Sequence, residues 1–140
     1  MLIMVLIWVF LALCSVYAAV FGGRDGLIGV ILIVAATLAT WFAQYFRPWS
    51  HTNFPVLFID ASLLLAFYIL ALRSRVFWPI WATGFHLITV AGHAATMVAP
   101  GFNSSIYYYF NGMWAIFVQM AMVWGITLDR FFLPRDQAAC

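Results

Sequence analysis

Charge is what this sequence has least of. Only 7% of its 140 residues are charged, against roughly 25% in soluble domains. With 67% hydrophobic and 19% aromatic residues, a water-soluble fold is excluded, because a domain this small leaves much of its surface exposed. The net charge is only +2, and no run of basic residues exists to track a phosphate backbone, so nucleic acid is excluded as a partner. Cysteine is scarce too. Cys14 lies within the first apolar run and Cys140 is the last residue, with no CxxC, zinc spacing or prenylation box around either. No nucleotide-binding glycine loop, nucleophile–base arrangement or HExxH motif is present. Nothing here marks an enzyme.

What the chain does have is long apolar runs, over residues 2–21, 27–46, 54–72, 76–99 and 105–128. Each passes the length of about 18 residues needed to cross a bilayer. They predict an all-α, polytopic transmembrane helix bundle of five spans, forming one domain over residues 1–140. The breaks between them are chemical. Gly22-Gly23-Arg24-Asp25-Gly26 reads as a turn, Arg47-Pro48 stops the second helix, and Pro100-Gly101 stops the fourth. Pro55 and Pro79 suit the first turns of the third and fourth helices. Tyr17-Ala18-Ala19 offers small residues near a cleavage point, but no positive residue precedes Arg24, so the first run reads as a retained span rather than a signal peptide.

The arginines orient the bundle. With five spans, Arg24, Arg73, Arg75, Arg130 and Arg135 fall on one side and Arg47 alone on the other. The positive-inside rule then puts the N-terminus outside and the tail in the cytoplasm. Aromatic belts agree. Trp41, Tyr45, Phe46 and Trp49 join Tyr107, Tyr108 and Tyr109 outside, while Phe77, Trp78, Trp81, Phe131 and Phe132 mark the inner boundary.

The polar residues of the spans fall at matching depths. On a helical wheel Thr83, His86, Thr89, His93 and Thr96 share one face of the fourth span. At about 1.5 Å of rise per residue, Asp60, His93 and Asn111 each lie roughly 9 Å below the outer boundary, and His86 and Gln119 roughly 20 Å below it. Asn111, Ala115, Gln119 and Met122 share a face of the fifth span, so both levels can address one interior. Ionisable groups at membrane depth turn inward to partners or a wet cavity. Asp60, His93, Asn111, His86 and Gln119 are therefore the candidate intramembrane polar site. Its plainest use is to tie three helices together through hydrogen bonds; its rival use is a shared proton between Asp60 and His93, extended inward by His86.

Cofactors are not expected. His86 and His93 stand two turns apart, about 10 Å along the axis, so they cannot ligate opposite faces of one haem iron, and no other span holds a histidine. A metal trio of His51, His93 and Asp60 would need the outer loop to fold down over the bundle. No metal site is assigned.

The run Leu72-Arg73-Ser74-Arg75-Val76-Phe77-Trp78-Pro79-Ile80-Trp81, continued by Gly84-Phe85-His86-Leu87, Val90 and His93, resembles small uncharacterised multi-span membrane proteins of alphaproteobacteria. They share a short basic connector, an aromatic-Trp-Pro helix start and a later histidine. The resemblance covers the third and fourth spans and implies a bacterial inner membrane without implying an activity. The expected role is a non-enzymatic structural or accessory subunit, in contact with the lipid bilayer and with itself or a larger membrane complex. The alternative is a proton-relay or small-solute transport protein.

Overall fold

The computed structural model describes residues 2–46, 54–99, 101 and 104–131. It is all-α, with five helices: α1 (Leu2–Phe21), α2 (Gly23–Phe46), α3 (Phe54–Arg73), α4 (Trp78–Val98) and α5 (Ser104–Phe131). No strand occurs among the described residues. The predicted runs fall within about four residues of these bounds. His51, Arg47 and Arg135 lie outside the described residues. Three helical stretches, at 23–45, 54–73 and 105–131, are long and apolar enough to cross a membrane, with mean hydropathies of 2.2, 2.2 and 1.3. Helix α4 carries two histidines and three threonines among its apolar residues.

One expected boundary is wrong. The five-residue turn over 22–26 is a single residue, Gly22, and Arg24, Asp25 and Gly26 already belong to α2. Gly23 makes this possible with φ of 57°, a left-handed conformation that costs other residues about 1–2 kcal/mol. The reversal is tight enough that a Cβ on Gly26 would lie 2.5 Å from the Ala18 carbonyl oxygen. Asp25 then occupies the first turn of α2, where the helix dipole favours a carboxylate. Its Oδ2 accepts a 2.5 Å hydrogen bond from Ser74 Oγ in the α3–α4 connector.

Each helix packs on its sequence neighbours, and α5 returns to pack on α1. Short connections make the first four pairs antiparallel, so with an odd number of helices the closing pair must be parallel. The contacts bear this out. Ser15 meets Gln119, Tyr17 meets Thr127 and Phe21 meets Arg130, ascending both helices together. Tyr17 Oη and Thr127 Oγ1 are 2.9 Å apart.

The ring has two unlike halves. Ala18, Phe67, Leu70, Trp78, Ala82, Val118, Met122 and Ile126 form a dry core towards the end where Arg24, Arg73, Arg75 and Arg130 cluster. The other half holds the polar groups of α3, α4 and α5. On the outside, large apolar side chains such as Leu13, Phe58, Leu72 and Val98 are exposed around the whole bundle. Apolar exposure on this scale marks a surface built for lipid or for protein contact.

Candidate functional site

Asp60 stands in the second turn of α3, facing α4. On α4 the 3.6-residue period brings His86, Thr89, His93 and Thr96 to one buried face, as the wheel predicts, with Thr83 half-buried beside them. His93 is fully enclosed, at 0% exposure. Its Nε2 lies 2.8 Å from Asp60 Oδ2, and its Nδ1 is hydrogen-bonded to the Tyr107 hydroxyl from the first turn of α5. The two rings meet edge to face, at 5.3 Å between centroids and 90°. One assignment satisfies every atom: His93 Nε2–H donates to the Asp60 carboxylate, and Nδ1 accepts from the Tyr107 O–H. Three helices thus meet at one imidazole.

His86 reaches the same aspartate from below. Its Nε2 is 3.1 Å from the Asp60 main-chain oxygen and 3.6 Å from Oδ1. The expectation of two separate layers is therefore corrected. Heights of Cα atoms kept His86 and Asp60 apart, but the reach of an imidazole and a carboxylate closes that gap. His86, Asp60, His93 and Tyr107 form one continuous line. It ends at His86, which sits edge-on to Phe67 at 6.0 Å between centroids, with Trp78 a further 6.4 Å from Phe67. Met122 and Ala82 complete this apolar floor.

Two expected members lie elsewhere. Asn111 is buried, but among the described residues its amide has no hydrogen-bond partner, and it faces Gly92, where a Cβ would come within 2.7 Å of Oδ1. It marks the close approach of α4 and α5, and Tyr107 takes the place expected for it. Gln119 is buried on the same face and donates from Nε2 to Ser15 Oγ of α1 at 3.2 Å, not to His86. Helix α1 lies on that flank of α5 because the ring closes there. Ala115, expected on that face, is exposed; with only a methyl group to bury, it does little to hold its flank inward.

Tyr107 was expected in the outer aromatic belt with its two neighbours. It is 4% exposed, whereas Tyr109 is 68% exposed. The signal was present in the spacing, since Tyr107 precedes Asn111 by four residues and so shares its face. Ser15 carried no comparable signal, because nothing in the first span's pattern distinguishes its interior side.

Among the described residues, no group of three His, Cys, Asp or Glu side chains converges on a metal position. The geometry gives the reason: His93 approaches one carboxylate oxygen of Asp60 while His86 lies nearer the other and the main chain. Comparison with known proteins finds no matching family model, no matching curated protein and no matching solved structure. The arrangement therefore speaks through its chemistry alone: a hydrogen-bonded tie between three helices, closed around one fully buried imidazole.

Proposed function

We propose that the chain is a five-span protein of a bacterial inner membrane, acting as a non-enzymatic structural or accessory subunit whose Asp60–His93–Tyr107 tie holds α3, α4 and α5 in register. The observation that carries this reading is the apolar floor beneath His86. Below His86 the line meets the apolar side chains of Phe67, Trp78 and Met122, and among the described residues His86 makes no hydrogen bond that leads further. The five-span count is supported by helix length, since α1 and α4 have 20 and 21 residues and about 20 suffice. The polar residues of α4 turn inward, leaving Ile80, Trp81 and Leu87 for lipid.

The four arginines gathered at one end favour a cytoplasmic location for that end, with the N-terminus outside. A reporter fused after Cys140 is expected to be active only in its cytoplasmic form. Activity of a periplasmic reporter there would reverse the orientation.

A second reading has its own support. Asp60, His93 and Tyr107 are joined by hydrogen bonds, and His86 Nε2 stands 3.6 Å from Asp60 Oδ1, a succession of the kind a proton relay draws on. Liposome flux separates the two. Under either sign of pH gradient, vesicles holding the protein are expected to match empty vesicles. Flux that appears in the wild type and vanishes in a folded Asp60→Asn variant would replace the structural reading with the relay. In mild detergent, the structural reading expects a stoichiometric partner or a defined self-assembly.

A further inference from the structure

A groove of about 670 Å³ runs along the outer face of α5, with α1 and the first turns of α4 as its walls. Phe10 lines it from α1, Phe77 from just before α4, Trp81 from α4, and Trp124 and Leu128 from α5. Phe77, Trp81 and Trp124 are all exposed. Its volume is that of a small-molecule site, which spans roughly 300–1,000 Å³, but it opens sideways from the bundle. We propose that this groove holds an acyl chain of an anionic glycerophospholipid, whose phosphate is taken by Arg75 and Arg130. The proposal rests on the membrane-spanning reading given above.

Position and charge argue for this occupant. The groove extends towards the arginine-rich end: Arg75 precedes Phe77 by two residues in the α3–α4 connector, and Arg130 stands in the last turn of α5. Both arginines are exposed. Arg130 lies with its guanidinium carbon 4.5 Å over the Phe21 ring, at the α1–α5 seam. Among the described residues, Arg24, Arg73, Arg75 and Arg130 at this end face only two aspartates. Asp25 is engaged by Ser74, and Asp129 is half-buried beside Arg130, its Oδ2 without a hydrogen-bond partner among the described residues. The balance is positive, as a phosphate requires. Basic residues flanking an apolar crevice at the cytoplasmic face suit anionic headgroups. A second copy fits less well. Copies in one membrane share an orientation, so their arginine ends would lie side by side and repel.

Brominated lipids give the test, because bromine on an acyl chain quenches tryptophan emission on contact. The protein would be placed in phosphatidylcholine vesicles with increasing fractions of brominated phosphatidylglycerol or brominated phosphatidylcholine. Subtracting the Trp124→Phe variant isolates the emission of Trp124. Half-quenching is expected at about fivefold lower mole fraction of the anionic lipid for each engaged arginine. The preference should fall in Arg75→Gln and in Arg130→Gln, and persist in Arg130→Lys, which keeps the charge. Equal quenching by both lipids, or a preference unchanged in the double glutamine variant, would overturn the assignment. So would a Trp124 that neither lipid reaches while the other tryptophans are quenched, which would mean that protein covers the groove. If no tryptophan responds to either lipid, the membrane-spanning reading fails along with the lipid site.

Discussion

Asp60→Ala is expected to destabilise the folded bundle in detergent by about 2–3 kcal/mol. The substitution removes the acceptor of His93 Nε2, 2.8 Å away, at a ring that no solvent reaches. An orphaned donor there keeps its full desolvation cost. His86 suffers less, since its shorter contact is to the main-chain oxygen, at 3.1 Å, and that oxygen stays. Asp60→Asn is expected to cost below about 1 kcal/mol, because the amide oxygen still accepts from Nε2–H. Tyr107→Phe should also cost about 1 kcal/mol, since His93 Nδ1 loses a donor without gaining a clash. Reversible unfolding of the three variants in mixed micelles measures these differences. An alanine variant as stable as wild type would show that the tie contributes nothing to the fold. Asparagine as damaging as alanine would show that the ionised carboxylate, rather than its hydrogen bonds, does the holding.

The second large effect lies in the dry half. Trp78 is almost wholly buried, and its ring reaches across the bundle to α2. A Cβ at Gly29 would lie 2.5 Å from Trp78 Cη2 and 3.2 Å from Met122 Sδ. Gly125 leaves the space against which the base of the same side chain packs. The indole cannot retreat, since Phe67 stands edge-on to it at 6.4 Å. Gly29→Ala should therefore cost about 1–3 kcal/mol through overpacking, and Trp78→Ala about 3–5 kcal/mol through the cavity it leaves. Their combination is the sharper measurement. With the indole gone, only the contact with Met122 Sδ at 3.2 Å remains against the new methyl at position 29, so most of the cost of Gly29→Ala should disappear in the Trp78→Ala background. Additive costs would mean that Gly29 is small for a reason unrelated to Trp78.

These expectations draw on features of unequal visibility in the amino-acid order. The faces of α4 were legible because a helix has one period and the polar residues at 86, 89, 93 and 96 keep to it. The pairing of Asp60 with His93 followed from depth, since antiparallel neighbours entered from one side bring equal counts of residues to equal heights. Tyr107 was readable from its spacing to Asn111, yet two adjacent tyrosines suggested an interfacial belt instead. The partners of Gln119 and the isolation of Asn111 were not readable, because depth says nothing of azimuth. Two residues at one level meet only if their helices turn the right faces to each other.

By itself the sequence determined the all-α fold, the five helices and the matching heights of Asp60 and His93, because hydropathy, proline and glycine act locally and add along the chain. Closure of α5 on α1 needed the tertiary structure, since nothing in either helix alone names its distant neighbour. The one-residue turn at Gly22 needed it too, for only packing of α1 on α2 shows how close Gly26 must come to Ala18. So did the gathering of His86, Asp60, His93 and Tyr107 into one line, because side-chain reach and helix rotation decide which groups at neighbouring heights touch.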